Sequence, residues 1–237
     1  MENKKKNFYI TTPIYYVNDV PHIGHAYTTV ICDTIANFNK WLGNKVNFLT
    51  GTDEHGQKVE KSALKANMDP QTFTDNVSKS FKKLASKLEI NNTDFIRTTE
   101  DRHINSVKHL WNILVNKGDI YIDKYSGWYS IRDEAFYSND EVIEDKSGKK
   151  LAPNGSELEW IEEPSYFFKL SSWQDKLLKF YEKNPDFISP KSRYNEVLSF
   201  VNGGLEDLSI SRTTFNWGIQ VPDNDDHVIY VWLDALT

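Results

Sequence analysis

Two histidines and a glycine, His22-Ile23-Gly24-His25, carry the first chemistry legible in this chain. They stand where a β-prone run hands over to a helical one, and imidazoles three residues apart share one side of a helical turn, so both rings can address one ligand. Backbone N–H groups and the helix dipole at such a start favour phosphate, and open α/β sheets bind ligands where their strands end. Gly24 costs about 1 kcal/mol against alanine inside a helix, which points to a group approaching the backbone closely. The chemistry implied is nucleotide binding, with the histidines as hydrogen-bond donors to a phosphate chain. The competing reading is a pair of ordinary helix-start residues.

The elements around them follow from pattern. Residues 7–12 are β-prone and run into Pro13, the polar pair Asn18-Asp19 and Pro21. From Tyr27 the large apolar residues Val30, Ile31, Ile35, Phe38, Trp41 and Leu42 fall at helical spacing, and Gly43 is placed to end the helix. Residues 45–50 read as a buried strand, closed by Gly51-Thr52-Asp53-Glu54-His55-Gly56 before a helical stretch through Val59, Ala63 and Leu64. Strand, helix, strand, helix with a long crossover predicts parallel strands and a doubly wound, Rossmann-like α/β sheet. Helical patterns continue over 73–88 and 104–115. The texture then changes: residues 120–130 alternate and are rich in Tyr and Trp, Lys146-Ser147-Gly148 marks a turn, and amphipathic helices are expected at 173–182 and 191–201. The organisation predicted is the first half of the α/β domain over 1–115, an inserted α+β domain over 116–220, and the start of the second half over 221–237, with the main sheet resuming at 228–232. Three strands leave such a sheet incomplete, so the chain reads as truncated.

Composition narrows the classes. With 237 residues, 39% hydrophobic and 14% aromatic, the chain can bury a core for one large or two modest domains. No stretch nears the roughly 20 apolar residues of a membrane span, and the start Met1-Glu2-Asn3-Lys4-Lys5-Lys6 lacks the apolar run of a secretion signal; a cytoplasmic protein without a membrane partner is expected. Cys32 is the single cysteine, which excludes an internal disulfide and a cysteine-built zinc site. His103 and His109, six apart, fall on different helix faces and read as structural, and no His/Asp/Glu cluster has ligand spacing, so no metal site is expected. A net charge of -6 gives no global attraction for nucleic acid.

The stretch Thr12-Pro13-Ile14-Tyr15-Tyr16-Val17-Asn18-Asp19-Val20-Pro21-His22-Ile23-Gly24-His25-Ala26-Tyr27 resembles the signature of the methionyl-tRNA synthetases, class I enzymes that activate methionine with ATP and pass it to tRNA. Three further segments resemble the same family in the same order: Thr50-Gly51-Thr52-Asp53-Glu54-His55-Gly56-Gln57-Lys58, Asp207-Leu208-Ser209-Ile210-Ser211-Arg212, and Tyr230-Val231-Trp232-Leu233-Asp234-Ala235-Leu236. The resemblance implies that Asn18, His22, Gly24 and His25 line an ATP site and that His22 and His25 act in catalysis. It implies a methionine pocket walled by Pro13, Ile14 and Tyr16, with Asp53 on the ammonium group, His55 close by, and Tyr230, Trp232 and Ala235 on the thioether side. ATP with Mg²⁺, L-methionine and, through the full-length enzyme, tRNA(Met) are the implied partners. Where many members carry Cys-x-x-Cys zinc knuckles, this chain reads Gly127-Trp128-Tyr129-Ser130-Ile131-Arg132-Asp133-Glu134, so it resembles the metal-free branch, with Trp128, Tyr129, Phe136 and Tyr137 expected to organise the region. The family's Lys-Met-Ser-Lys-Ser loop does not occur here, and its anticodon-binding domain is absent too, so this chain alone is expected to be inactive or weakly active. Alternatives stay open at this stage: Asp53 as a turn aspartate, Trp232 as a core strand residue, Arg212 either near the adenylate or in a surface ion pair; and, for the whole, another adenylyl- or cytidylyltransferase, a synthetase for a neighbouring aliphatic amino acid, or a truncated noncatalytic paralogue serving as a binding or assembly module.

Overall fold

The computed structural model describes residues 5–145 and 147–237; Met1 to Lys4 at the charged start and Lys146 of the expected turn lie outside the described residues. A parallel sheet forms from β1 (Asn7–Thr11), β2 (Tyr15–Tyr16), β3 (Lys45–Asp53) and β4 (Asp94–Arg97). The central strand is β3. It pairs with β1 through Ile10↔Phe48, with β2 through Tyr16↔Asp53, and with β4 through Gly51↔Ile96. Between β1 and β2 stands Pro13, which has no N–H to give to a ladder.

Helices α1 (Ile23–Trp41), α2 (Gln57–Lys65), α3 (Pro70–Lys87) and α4 (Asp101–Asn116) connect and flank these strands. The stop after α1 is Gly43 at φ 87°, a left-handed conformation that suits glycine. Helix α3 starts where its sequence says it should: Pro70 occupies the first turn and the Asp69 carboxylate accepts from Thr72 N at 3.0 Å. The predicted parallel, Rossmann-like α/β sheet is the observed one.

The rest is α+β. Strands β5 (Ile120–Ser130), β6 (Ala135–Tyr137), β7 (Ile143–Glu144), β8 (Lys150–Leu151) and β9 (Glu159–Phe168) precede α5 (Gln174–Lys183) and α6 (Lys191–Asn202). After them come β10 (Leu208–Ser209), β11 (Ser211–Arg212), β12 (Gln220–Val221), β13 (Asn224–Ile229) and α7 (Val231–Ala235). An antiparallel sheet runs in the order β10-β9-β5-β6. Sequence pattern misses β9 because Pro164 interrupts it; the proline is tolerated because β10 covers only Phe167 and Phe168, leaving that side of the strand open at Pro164. It misses β4 because four residues hold too little periodicity.

One expectation is corrected. Residues 228–232 do not rejoin the parallel sheet: β13 pairs antiparallel with β11 and β12, and Trp232 lies on the short helix α7. A short apolar run carries no information about which sheet will receive it. Here Ile229 joins Ile210, Ile219 and Val221 in one core with Val107 and Trp111 of α4, so the antiparallel part is anchored directly on the parallel one.

The tightest approach in the parallel sheet is at Gly51, where a Cβ would stand 2.1 Å from the Ile96 carbonyl oxygen and 2.6 Å from Ile96 Cγ2. Gly51→Ala is expected to destabilise the fold by about 2–3 kcal/mol, the upper end of an overpacking penalty, measured by urea denaturation.

Candidate active site

The site grows from the carboxyl end of β3. Thr52, Asp53, Glu54 and His55 are all buried, and an ionisable group out of water needs partners. Glu54 has a full set: Thr52 Oγ1 at 2.6 Å, Arg97 Nε at 2.7 Å and Nη2 at 2.8 Å, and Thr99 Oγ1 at 2.6 Å. Arg97 also reaches Asp75 of α3 at 2.5 Å, tying β4 to that helix. His55 Nδ1 lies 2.6 Å from Asp234 Oδ2, and His103 Nε2 lies 2.7 Å from Asp234 Oδ1. Burial opposes ionisation of Asp234, but the bonds to His103 and His55 outweigh it and hold the carboxyl below its ordinary range.

Asp53 is different. It is 2% exposed and its Oδ1 has no hydrogen-bond partner. Burial first, then the negative charges of Asp234 and Glu134, hold its carboxyl well above the ordinary range, against the opposing pull of the His55 backbone amide. It borders a cavity of about 810 Å³ whose walls include Pro13, Ile14, Tyr16, Trp232 and Ala235. Trp232 is 46% exposed, with its ring 5.8 Å from that of Tyr230. Six of the residues expected around an amino acid therefore meet at one hollow. The other two stand behind its wall: His55 turns to Asp234, and Tyr230 is buried, its hydroxyl donating to the Glu134 carbonyl. His103, read from sequence as structural, lines the cavity; nothing in the spacing of α4 announces a partner 131 residues away.

The antiparallel part reaches into this site. Glu134, at φ 50°, accepts from Lys58 N at 3.1 Å and so caps α2, whose own cap position is Gly56. Gly56 has φ 105°, and a Cβ there would lie 2.7 Å from Glu134 Oε1, so glycine is required on both counts. Trp217 Nε1 donates to the Glu54 carbonyl at 2.5 Å while Gly56 N donates to the Trp217 carbonyl at 3.0 Å. Arg212 is 1% exposed, which rules out the surface ion pair: its guanidinium lies 4.0 Å from the Tyr230 ring and 4.8 Å from that of Phe136, and donates to Ser209 Oγ and the Ser211 carbonyl. The turn before Glu134 is tied by Asp133, which accepts from Ser130, Tyr137 and Ser156, alongside the expected packing of Tyr129 on Phe136 at 4.8 Å.

The histidine pair sits elsewhere. His22, Gly24, His25 and Asn18 are not among the cavity walls. His22 is the N-cap of α1 and forms a reciprocal capping box with His25: Gly24 N donates to His22 Nδ1 at 3.1 Å, and His22 N donates to His25 Nδ1 at 3.0 Å. A ring nitrogen that accepts cannot carry the proton, so in both rings the hydrogen is on Nε2 and is left to donate. The ring centroids are 3.9 Å apart. Gly24 is explained by the ring over it, since a Cβ would meet His22 Cε1 at 2.9 Å.

In comparison with known proteins, residues 8–237 match the family model described as tRNA synthetases class I (M). The chain belongs to that family. Among curated relatives, the methionine–tRNA ligase of Rickettsia typhi is 63% identical over 232 residues, covering 98% of this chain and 45% of its own length, and that of Rhizobium meliloti is 54% identical, covering 97% and 45%. The chain thus spans a little under half the length of these curated relatives. Mycobacterium tuberculosis methionyl-tRNA synthetase bound by methionyl-adenylate superposes with TM-score 0.94 at 49% identity, over 98% of this chain and 46% of that one; its free-state structure gives 0.81 at 45%, over 100% and 45%. In this synthetase chain no helix among the described residues is long and apolar enough to cross a membrane.

Two outcomes are expected. A carboxyl whose pKa is raised by folding favours the folded state at low pH and opposes it above the raised value; Asp53→Asn therefore raises the melting midpoint at pH 7, by about 2–4 °C for each kcal/mol relieved, and the gain fades as pH falls towards the ordinary carboxylate range. Imidazole ¹⁵N chemical shifts of His22 and His25 at neutral pH will show the Nε2–H tautomer in both rings; an Nδ1–H signal for either would contradict the capping box.

Proposed function

We propose that the whole protein is a cytoplasmic methionine–tRNA ligase, and that this chain supplies its amino-acid site and the first part of its ATP site. The reaction would join L-methionine to ATP as methionyl-adenylate and pass it to tRNA(Met). The observation that carries the reading is Asp53: a carboxylate 2% exposed, one oxygen unpartnered, at the edge of a cavity whose walls include Pro13, Ile14, Tyr16, Trp232 and Ala235. A site that buries an unsatisfied acid is poised for a cation, and an α-ammonium supplies both charge and donors. Tyr16 and Trp232 suit a polarizable thioether, which packs well against aromatic rings, and Pro13, Ile14 and Ala235 leave it an apolar channel.

The chemistry asks these residues for positioning, not for proton transfer. The methionine carboxylate would attack the α-phosphate in line while pyrophosphate leaves, and the Nε2–H groups of His22 and His25 at the α1 N-terminus would meet the phosphate charge. Mg²⁺ would arrive on the nucleotide phosphates, because among the described residues no three His, Cys, Asp or Glu side chains are grouped to hold an ion.

Calorimetry of L-methionine with this chain tests the reading, with leucine, isoleucine and Asp53→Ala as controls. Removing one partner of a buried charge pair costs about 2–5 kcal/mol, so the variant should bind methionine about 30-fold more weakly or worse. Leucine and isoleucine should bind about tenfold more weakly or worse than methionine. Equal affinity for the three amino acids, or binding indifferent to Asp53→Ala, would sink it.

A further inference from the structure

Helix α7 bears two cavity walls, Trp232 and Ala235, yet it is five residues long and has no side-chain cap. A helix that short has no stability of its own in water. It is held from α4 and from the loop after β3: Leu233 packs on the core built around Val107 and Trp111, and Asp234, fully buried, takes His103 on one oxygen and His55 on the other. His103 sits in the first turn of α4, with its backbone N–H bonded to the Glu100 carbonyl at 2.9 Å, so its ring is delivered by a long helix anchored in that core.

A buried carboxylate with two imidazoles is a poor way to gain stability alone, because apolar residues of similar volume commonly do as well. Its place between the two halves of the hollow points elsewhere. His55 is two residues from Asp53, and Asp234 lies between Leu233 and Ala235, so one cluster ties the ammonium-binding side to the thioether side. Asp234 is also a negative neighbour felt at Asp53.

We propose that His103 is a positioning residue for the amino-acid site: through Asp234 it fixes where Trp232 and Ala235 stand relative to Asp53, and with His55 it offsets the Asp234 charge beside Asp53. The inference rests on the reading of this cavity as a methionine site. Methionine affinity therefore depends on an N–H donor at the position of His103 Nε2, while ATP affinity, governed by the separate α1 start, does not.

The test is ATP–pyrophosphate exchange by the whole protein encoded by the gene, with methionine and ATP varied separately, in wild type, His103→Leu, His103→Gln and His103→Asn. Gln reaches the place of Nε2 with an N–H donor; Asn is polar but too short. His103→Leu and His103→Asn are expected to raise the KM for methionine about tenfold or more, the worth of a hydrogen bond to a charged partner, and to leave the KM for ATP within about twofold, while His103→Gln restores most of the methionine KM. If His103→Leu fails to fold, Gln against Asn decides. A methionine KM equal in Gln and Asn variants, or both KM values rising together, would reduce His103 to a structural tie and overturn the proposal. Wild type without methionine-dependent exchange would overturn the methionine reading and this inference with it, an outcome distinct from normal wild-type exchange with indifferent variants.

Discussion

At the carboxyl end of β3 four polar side chains in succession, Thr52 to His55, are out of water, and each must be met by something brought to it. The order of partners sets the architecture: Arg97 and Thr99 come from β4 and the loop after it to Glu54, while Asp234 comes from α7 to His55. Of these four, Asp53 alone keeps a buried oxygen without a partner. Had every group been satisfied internally, the end of the strand would be a sealed polar core; one acid is left incomplete, which is what the proposed ammonium site uses. That choice opposes stability, and the surrounding bonds offset it.

The antiparallel part is more than an appendage to the sheet. Its turn at Glu134 caps α2, its Trp217 clasps the loop on either side of His55, and its buried Arg212 stacks under Tyr230 at the start of α7. Each contact makes a segment far along the chain a constraint on the loop after Asp53, on the start of α2 or on the start of α7. The turn itself is held by hydroxyl-to-carboxylate bonds on Asp133, whose carboxyl is kept well below its ordinary range: burial works against this, and the bonds from Ser156, Asn154, Ser130 and Tyr137 prevail. With three hydroxyl donors on one carboxylate, Asp133 ties Ser130, Tyr137 and Ser156 together at the turn.

The histidine pair shows how one local device serves two ends. The capping box that starts α1 satisfies backbone donors that a helix start leaves open, and in doing so it commits both Nδ1 atoms as acceptors and frees both Nε2–H groups. Burial, with the neighbouring His22, lowers the pKa of His25, which keeps the ring neutral and the box closed to lower pH. Local backbone accounting thus also leaves two N–H donors at one helix start.

Much was legible in the sequence because it is local. Periodicity and caps placed β1, α1, β3, α2, α3 and α4, the crossover length implied parallel pairing, and the motif order pointed to the family and to Asp53, Tyr16 and Trp232 as neighbours of one ligand. What lay beyond it was set by contacts between distant segments. Pattern could not say that residues 224–229 pair antiparallel instead of rejoining the parallel sheet, that Pro164 sits within a ten-residue strand, that Arg212 is buried under aromatic rings, or that Glu134 caps a helix 76 residues away. His103 and Asp234 are the sharpest case: each is an unremarkable residue in its own helix, and their meaning exists only once the core around Trp111 brings α4 and α7 together. Propensity and periodicity are properties of neighbours along the chain, whereas a buried charge is defined by whichever partners the tertiary structure places within hydrogen-bond reach.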